Sequence, residues 1–541
     1  MMDEGSIKSA QKQGKIRKGS TVVINTSESP SAFSSLTDCN VTTIDANRIA
    51  VEKGLTLPSG MPIINTTVLG ALWGLLPSVA FDHLAEALRE GKLPVVEKNI
   101  EAAREANEII KRVHEVPEAE KVTAVEAAPV VAEQGPQFLN RMAPCGAACP
   151  AGENIERTAY FIENQRFEEA LESIKSENPF PGTCGRACFH PCEASCNRIQ
   201  YDEGVATNAL ERAAFDYADS SRVKKPEKRP PTGKKVAVIG SGPAGMTAAY
   251  FLSLLGHKVT VFEALPIAGG APRFGIPERR LPKNVVDREI KEIADLGVDI
   301  RVNTKIGKDI AFEELTKEHD ACLIAAGGRR SVLGETLELP FPDGTVEMSG
   351  SAINVDQLGR TSITGVYAAG DLAKLSRSVV EAIASGKRAA LGIDLFLTNG
   401  DEKVAASFFE GKSGAVSMSR YLAGDDTSEG DGLVSFEDLN VAYFTKAPRQ
   451  VMAKLSPEKR ELKSDETNLG FTRDEAIAEA RRCFHCGHCI FCENCYILCP
   501  DLAISLDSNG LSFTINKKVC KSCGICIHEC PRNAISWKGV A

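Results

Sequence analysis

Cysteine is the residue type in this chain whose number and spacing could do chemistry. Of eighteen cysteines, six lie between Cys145 and Cys196 and ten between Cys483 and Cys530. Short, regular spacing lets one stretch of backbone present several thiolates to one inorganic centre, and thiolates are ligands of iron–sulfur clusters and of structural zinc. Only Cys39 and Cys322 stand apart, and we interpret them as ordinary buried thiols.

Two C-terminal runs repeat the spacing C-x2-C-x2-C-x3-C-P. The first run is Cys489, Cys492, Cys495 and Cys499, and the second is Cys520, Cys523, Cys526 and Cys530. This is the pattern of two-cluster bacterial ferredoxins, in which the fourth cysteine of each run serves the other cluster. We therefore expect one 4Fe–4S centre on Cys489, Cys492, Cys495 and Cys530, and another on Cys520, Cys523, Cys526 and Cys499. Zinc at both runs is the alternative. The nearby His485, His488 and His528 are predicted to be solvated side chains rather than ligands.

The six earlier cysteines form two groups joined by helical sequence. The first group is Cys145 and Cys149, and the second is Cys184, Cys188, Cys192 and Cys196, each four residues from the last. Apolar residues between the groups, from Phe161 to Ile174, recur at helical spacing. Two cysteine groups bridged by helices suit iron–sulfur ligation, with structural zinc as the alternative.

A different chemistry is indicated by residues 235–263. A short apolar strand leads into Gly240, Gly242 and Gly245, which form G-x-G-x-x-G at the start of an apolar helix. The glycines allow a tight turn, close approach of a pyrophosphate and close helix–strand packing, and the helix N-terminus offers free N–H groups to phosphate. Glu263 ends the next strand, where it can accept hydrogen bonds from a ribose. The alternative is a glycine-rich turn without chemical consequence.

Length and composition set the limits for the whole chain. A chain of 541 residues predicts roughly three to four domains. The net charge of −9 gives no reason to expect nucleic acid as a partner. The longest mostly apolar run, residues 69–81, is too short to cross a bilayer, and residues 1–15 are too polar for a signal peptide. We therefore expect a cytoplasmic protein that makes no contact with membranes.

Residues 144–395 resemble the small subunit of glutamate synthase and its relatives, which include the N-terminal half of dihydropyrimidine dehydrogenase. The cysteine boxes, G-x-G-x-x-G, GIPERRLP (275–282) and AAGD (368–371) appear in that family's order. The resemblance implies FAD as a cofactor and iron–sulfur clusters in the preceding helical domain. The residues expected to bind FAD are Gly240, Gly242, Pro243, Ala244, Gly245, Glu263, Ala264, Gly270, Arg273, Gly370 and Asp371.

The chain departs from that family where a second nucleotide-binding fold, for NAD(P)H, is normally inserted. Arg330 and Gly365 are only 35 positions apart, whereas one βαβ unit takes roughly 30 or more residues. A second G-x-G-x-x-G is also absent from the sequence. We therefore predict that the pyridine-nucleotide domain is deleted, and that the flavin face it would cover is open to a partner or buried by the short loop.

Residues 1–117 are predicted to form a small α/β unit, with strands at 21–24 and 41–44 and amphipathic helices at 79–88 and 99–113. They resemble the gamma subunit of 2-oxoacid:ferredoxin oxidoreductases. The resemblance rests on VVINTSESP (22–30), TIDANRIAVEKGL (43–55), PIINTTVLGAL (62–72) and NIEAAREA (99–106). It covers only the second half of that subunit, so this part is either active or a docking piece for catalytic subunits. A generic αβ domain is the alternative.

Cys483 and Cys486 remain after the ferredoxin ligands are assigned. In the glutamate-synthase-like family a helix of the EAxRCxxC type precedes the first cysteine box. In this chain the matching segment, AIAEARRCFHC, lies at 476–486. The resemblance implies that this helix docks back, so that Cys483 and Cys486 join Cys145 and Cys196 around one cluster. A second cluster would then take Cys149, Cys188 and Cys192 with Cys184 or Glu211. The alternative is a CxxC without ligand function.

We therefore predict an α/β multidomain protein with a Rossmann-type FAD domain and a C-terminal ferredoxin-like domain with two 4Fe–4S clusters. The expected domains are a partial gamma-like unit (1–117), a linker (118–136), a helical iron–sulfur domain (137–223), an FAD domain (235–398), an extended arm of low internal stability (399–471), and a helix with the ferredoxin domain (472–541).

The leading functional hypothesis is an electron-transfer subunit of a 2-oxoacid:acceptor oxidoreductase. It relays electrons between 4Fe–4S clusters and FAD, with one or two clusters in the helical domain. Thiamine-diphosphate-dependent partner subunits would decarboxylate the oxoacid, and ferredoxin or NAD(P), bound elsewhere, would be the acceptor. The alternatives are a stand-alone NAD(P)H-dependent flavin oxidoreductase like the glutamate synthase small subunit, and a scaffold with degenerate sites.

Overall fold

The computed structural model describes most of the chain and divides it into two compact units. The described residues are 19–33, 39–56, 62–75, 80–90, 95–113, 136–139, 141–328, 346–349, 351–373, 378–400, 409–410, 415–423, 432–460, 465–506 and 513–537. The small unit comprises residues 1–137, 491–530 and 535–541, and the large unit comprises residues 138–490 and 531–534. Most of the linker predicted at 118–136 lies outside the described residues.

The N-terminal part of the small unit is an αβ fold. Its strands are β1 (Ser20–Asn25) and β2 (Cys39–Ile44), and its helices are α1 (Ala46–Glu52), α2 (Asn65–Gly74), α3 (Phe81–Glu90) and α4 (Val96–Val113). The two strands pair in parallel. Helices α2 and α4 lie unusually close, because a Cβ on Gly70 would overlap the backbone of Ala103. The two predicted strands are therefore present and slightly longer than expected, and the predicted helices begin at Phe81 and Val96.

The large unit begins with short helices that carry the first six cysteines. After β3 (Pro136–Phe138), the helices are α5 (Pro144–Ala148), α6 (Ile155–Glu163), α7 (Phe167–Lys175), α8 (Pro181–Ala187), α9 (Pro191–Ala194) and α10 (Thr207–Tyr217). Three of these helices begin with proline, which fixes φ at the first turn where no N–H partner is needed. The apolar faces of α6, α7 and α10 form one buried core, which includes Ile162, Phe167 and Leu171.

A five-stranded parallel sheet forms the centre of the large unit. The helices and strands of this part of the chain are β4 (Lys235–Ile239), α11 (Pro243–Leu254), β5 (Lys258–Phe262), α12 (Gly270–Phe274), α13 (Lys283–Ala294), β6 (Asp299–Arg301), α14 (Phe312–Glu318), β7 (Ala321–Ile324), β8 (Met348–Ser349), β9 (Ala352–Ile353), β10 (Val366–Ala368) and α15 (Val379–Thr398). The strand order is β10-β7-β4-β5-β6. Every residue of α11 is buried, as expected for a helix that is apolar on all sides.

The described residues between β7 and β10 contain only the two-residue strands β8 and β9, which pair as an antiparallel hairpin. Within residues 325–328, 346–349 and 351–365, the structure therefore contains no second parallel sheet. Residues 329–345, which include the predicted short loop, lie outside the described residues.

From residue 409 onward, the described residues form short elements only. They are β11 (Phe409–Glu410), β12 (Ala415–Val416), α16 (Met418–Ala423), β13 (Ala453–Lys454), β14 (Asn468–Gly470), α17 (Arg473–Ala480), α18 (Asn494–Ile497), β15 (Ile504–Leu506), β16 (Phe513–Ile515), α19 (Ile525–His528) and β17 (Ile535–Trp537). Helix α17 begins as predicted, with a capping box between Thr472 and Glu475.

The segment 432–460, part of the predicted extended arm, has little regular structure of its own and is hydrogen-bonded to the helical domain. The Tyr201 hydroxyl donates to the Phe444 carbonyl oxygen at 2.7 Å, and the Asp202 carboxylate accepts from the Ala447 N–H at 3.1 Å. Sequence composition could not show this, because its partners lie more than 200 residues away.

No helix in the described part of the chain is both long and apolar enough to span a membrane.

Candidate functional site

The loop between β4 and α11 has the backbone that a pyrophosphate requires. Gly240 has φ +104°, and a Cβ there would overlap the carbonyl oxygen of Ala325. A Cβ on Gly245 would overlap the carbonyl oxygen of Gly240, so this glycine permits close packing of the helix on the loop. A Cβ on Gly242, in contrast, would meet no protein atom within 4 Å. Space therefore remains at the N-terminus of α11, where phosphate would be stabilised by free N–H groups and the helix dipole.

Glu263 lies beside this loop and is 8% exposed. Its Oε2 accepts hydrogen bonds from the Ser241 N–H at 2.9 Å and the Ser241 hydroxyl at 2.5 Å, and its Oε1 accepts from the Leu265 N–H at 2.9 Å. A carboxylate has about four acceptor positions, so Glu263 can also accept from a ribose hydroxyl. The loop, the helix terminus and this acid together fit a dinucleotide.

Three of the other residues predicted to bind FAD, Pro243, Gly270 and Gly370, lie at this loop or in contact with the start of α11. Pro243 is the first residue of α11. A Cβ on Gly270 would lie 2.7 Å from the Cα of Gly242, so the backbones of Gly270 and Gly242 are in close contact. Gly370 packs against Ala244, since a Cβ on Gly370 would lie 3.2 Å from the Cβ of Ala244.

Asp371 and Arg273, also predicted to bind FAD, differ in their burial and contacts. Asp371 is half-buried in a 3₁₀ turn that follows β10. Arg273 pairs with Asp287, and its buried Nε has no hydrogen-bond partner. Ala264 is exposed.

The helical domain brings four of its cysteines around one cavity, which we call cage B. The cavity is lined by Cys149, Cys184, Cys188 and Cys192, together with Glu153, Glu211 and Val380. Val380 belongs to the first turn of α15, so cage B borders the flavin-type domain. Both fourth ligands considered from sequence, Cys184 and Glu211, are therefore present at this cavity.

A second group, which we call cage A, consists of Cys145, Cys196, Cys483 and Cys486. Burial is the largest cause that raises the pKa of Cys145, followed by charge on Glu156 and then by charge on the other three thiols of the group. The Nδ2 of Asn197, next to Cys196, lies 3.6 Å from the Sγ of Cys486. The displaced CxxC thus lies beside the helical domain.

Burial is the main cause of the raised thiol pKa values in both cages. A buried thiol resists ionisation because the thiolate loses its hydration. Cations at the centre of each cage would reverse this preference, since cluster iron binds the thiolate form. No three His, Cys, Asp or Glu side chains in the described residues are arranged to hold a single metal ion.

Two buried carboxyl groups line cage B. Burial raises the pKa of Glu153 to about 7 and raises the pKa of Glu211 well above its usual range. The Nδ2 of Asn178 donates to Glu153 at 2.7 Å and to Glu211 at 3.1 Å. Sequence reasoning missed Glu153, although its position four residues after Cys149 could have indicated it.

The ferredoxin-like part of the small unit brings together thiols from both runs. Cys499, Cys520, Cys523 and Cys526 line one pocket, which is the crossed set expected from the spacing. Of the other expected set, Cys492, Cys495 and Cys530 belong to the small unit and Cys489 to the large unit.

The histidine prediction needs one correction. His528 is exposed, but His485 is fully buried rather than solvated. The Nδ1 of His485 lies 2.9 Å from the Glu156 carbonyl oxygen, and its Nε2 lies 3.4 Å from Glu163. His488 is half-buried, and burial lowers its pKa to about 4.

The two isolated cysteines also differ from one another. Cys322 is buried, which raises its pKa to about 12, whereas Cys39 is only partly buried.

Four family models match successive parts of the chain. Pyruvate ferredoxin/flavodoxin oxidoreductase matches residues 1–109, dihydropyrimidine dehydrogenase domain II with a 4Fe-4S cluster matches 112–223, pyridine nucleotide-disulphide oxidoreductase matches 197–386, and the 4Fe-4S binding domain matches 513–536. These matches confirm the fusion, the fold class and the cofactor types, FAD and 4Fe–4S clusters, that the sequence predicted.

Curated relatives match the central third of the chain. The NADPH-Fe(3+) oxidoreductase subunit beta of Geobacter sulfurreducens is 43% identical over 36% of this chain and 30% of its own length. The NADP(+)-dependent formate dehydrogenase subunit beta of Moorella thermoacetica is 40% identical over 36% of this chain and 31% of its own. The glutamate synthase [NADPH] small chain of Bacillus subtilis is 39% identical over 34% of this chain and 38% of its own. The matched region thus spans about a third of the length of these relatives.

The sequence matches and the sites together define the class of protein. The chain is an oxidoreductase that joins a flavin-binding redox domain to 4Fe–4S domains, as predicted. When bound, the flavin would exchange electron pairs with organic acceptors and single electrons with clusters.

Proposed function

We propose that this chain is the electron-transfer subunit of a 2-oxoacid:acceptor oxidoreductase. The observation that carries the proposal is the fusion itself, because residues 1–109 match pyruvate ferredoxin/flavodoxin oxidoreductase and are continuous with a flavin and iron–sulfur module. Oxoacid decarboxylation requires thiamine diphosphate, for which the chain has no recognisable motif. Partner subunits would therefore carry out that reaction and deliver electrons to this chain.

The proposed flavin site is the loop between β4 and α11. Gly240, Gly242 and Gly245 shape the loop, and Glu263 binds the ribose. Residues from Gly370 onward, including Asp371, approach from β10, which lies in the same sheet two strands from β4.

The proposed cluster sites are four in number. Two are the ferredoxin sets predicted from the spacing, of which the set with Cys499 lines one pocket, one is cage A, and one is cage B with its four cysteines. Cage B lies beside Val380 in the helix that follows the proposed flavin-binding turn, and we propose that it exchanges electrons with the flavin.

Co-purification tests this proposal. Full-length chain carrying an affinity tag should be isolated from its native host without oxygen, and the complex analysed for subunits and thiamine diphosphate. We expect thiamine-dependent subunits, and we expect a 2-oxoacid to bleach the flavin of the complex but not that of the chain alone. Isolation of the chain without such partners, with a flavin that no 2-oxoacid reduces, would contradict the proposal.

A second candidate is a stand-alone NAD(P)H-dependent flavin oxidoreductase. It is favoured by the relatives whose names include NADPH, and is opposed by the lack of a second parallel sheet among the described residues between β7 and β10. Stopped-flow mixing of the isolated holoprotein with NADPH or NADH distinguishes the two. Rapid bleaching of the flavin would favour the second candidate.

A further inference from the structure

We propose that a group of four charged residues, the buried Arg198, Glu479 and Arg482 and the half-buried Asp202, positions the displaced CxxC so that cage A can hold a cluster. We call this group the latch. The inference rests on cage A as proposed above, and concerns how its two halves are held together. Glu479, Arg482 and the CxxC cysteines that follow them lie outside the four matched family regions, between residues 386 and 513.

The latch joins segments that are 280 residues apart, as the pair Asp202 and Arg482 shows. Arg198 is 1% exposed, and its guanidinium donates to Asp202 at 2.7 Å and to the carbonyl oxygen of Arg482. Arg482 is 3% exposed, and it donates to Glu479 at 2.7 Å and to Asp202 at 3.1 Å. The two arginines and two acids balance in charge, which is the condition under which buried ions are tolerated.

Glu479 connects this network to the backbone of two further segments. It is fully buried, and its carboxylate oxygens accept from the Ala206 N–H at 2.8 Å and the Gln450 N–H at 2.8 Å. Arg198 likewise donates to the Thr445 carbonyl oxygen at 2.8 Å. The latch therefore fixes α17 against the helical domain and against segment 432–460 at once.

The latch residues are neighbours in sequence of the cage A cysteines. Arg198 is two residues after Cys196, and Arg482 immediately precedes Cys483. The Phe484 ring, between the two cysteines of the CxxC, packs on Phe444 with ring centroids 4.5 Å apart and lies under the Arg198 guanidinium. The latch therefore connects the backbone that carries Cys196 to the backbone that carries Cys483 and Cys486.

Because the cysteines of cage A come from distant segments of the chain, other contacts must hold these segments together. Neighbouring cysteines in one loop are held close by the chain itself, but Cys145 and Cys483 are not. The ordering cost of bringing the halves together must come from contacts other than the cluster, or the cluster must supply it alone. The latch supplies these contacts, so we expect cage A to lose iron readily when the latch is broken.

The test uses full-length protein reconstituted with iron and sulfide without oxygen. A Cys483→Ala, Cys486→Ala double variant defines the iron and the electron paramagnetic resonance signal of cage A. Glu479→Leu and the gentler, similarly shaped Glu479→Gln break the latch. Asp474→Leu and Asp474→Asn are the matched controls, because Asp474 is an acid of the same helix whose side chain is exposed. Iron per chain, the rate of iron release to a chelator, flavin content and the ferredoxin signals are measured for each.

We expect the double cysteine variant to lose about four of about sixteen irons. We expect Glu479→Leu to release the iron of cage A at least about tenfold faster, with a smaller effect for Glu479→Gln and none for either Asp474 variant. Flavin and ferredoxin signals should stay at the level of the unmodified protein in all variants.

Each failure has a separate meaning. If the double cysteine variant keeps all its iron, or if cage A contains zinc, the cluster assignment of cage A is wrong. If that variant loses iron but Glu479→Leu and Glu479→Gln release it at the unmodified rate, the latch proposal is wrong. Loss of flavin and ferredoxin signals together with cage A in Glu479→Gln would also contradict it, because the latch would then be a general stabiliser of the fold.

Discussion

At the scale of single residues, the three glycines of the flavin loop are required for different reasons. Gly245 is required by the protein, since a Cβ there overlaps the backbone of Gly240, whereas Gly242 faces space that no protein atom occupies. We predict that Gly242→Ala changes the stability of the flavin-free protein by less than about 1 kcal/mol but weakens FAD binding at least about tenfold.

Gly245→Ala, in contrast to Gly242→Ala, should destabilise the flavin-free protein by at least about 2 kcal/mol through overpacking. Thermal unfolding of the flavin-free variants and FAD titration measure the two effects. Equal destabilisation by both substitutions would contradict the assignment of the space beside Gly242 to a ligand.

A buried carboxyl group outside the cages should make stability depend on pH. Glu289 is fully buried and accepts from the N–H groups of Gly182 and Thr183 at the start of α8, and burial raises its pKa from 4.5 to about 7. The stabilisation by protonated Glu289 is fully present below its ordinary pKa and is lost as pH rises through about 7. The shift corresponds to about 3 kcal/mol.

We therefore predict that Glu289→Gln reduces the loss of stability between pH 5 and pH 8. The difference in unfolding temperature between the variant and the unmodified protein should shift in favour of the variant as pH rises. Glu211 and Glu292 are the acids that interact with Glu289, and both are unchanged in the variant. A difference that stays constant across this pH range would refute the prediction.

At the scale of elements, a buried ion pair joins the helical domain, α15 and α16. The Lys387 ammonium is fully buried and donates to Glu177 and to the Ala151 carbonyl oxygen. Glu177 also accepts from the N–H groups of Met418 and Ser419 at 3.0 Å each, which caps the start of α16. One carboxylate thus joins three elements of the large unit.

We predict that Lys387→Met costs about 3–5 kcal/mol, because Glu177 is left as a buried charge without its cation. Lys387→Met combined with Glu177→Gln should cost less than the single change. Hydrogen exchange of α15 and α16 measures the local stability.

Lys291→Met is the control, because its ion pair with Asp295 is exposed and should contribute less than about 1 kcal/mol. If the double variant is less stable than Lys387→Met alone, the proposed role of the Lys387–Glu177 ion pair is wrong.

The sequence predicted elements well where the pattern is local. The G-x-G-x-x-G loop, the capped start of α17 at Thr472 and the strands near Val22 and Val41 all follow from spacing within a few residues. The ferredoxin spacing also predicted that Cys499 belongs with the second run, and these thiols line one pocket.

Contacts between distant residues could not be predicted in this way. Lys387 and Glu177 are 210 positions apart, and each by itself looks like an ordinary surface charge. The same is true of His485, which sequence context placed in solvent and the fold places against Glu156 and Glu163. Burial of these groups depends on which helices meet, and a single sequence does not contain that information in any periodic form.

At the scale of the whole molecule, one chain combines a flavin-binding domain with several 4Fe–4S domains. The four proposed cysteine sites and the proposed flavin loop come from different segments, yet cage B borders α15, which follows Gly370 and Asp371 in the chain. The proposed oxoacid partners and the acceptor can change without altering this internal arrangement. The central claim is therefore that electrons added to the holoprotein are shared between clusters and flavin.

Anaerobic reductive titration of the unmodified holoprotein tests this claim most directly. Flavin absorbance and cluster electron paramagnetic resonance are followed together as dithionite is added. We predict uptake of about six electrons per chain, two by one FAD and one by each of four clusters. Uptake of only about two electrons with no cluster signal, or cluster reduction without any flavin present, would contradict the account.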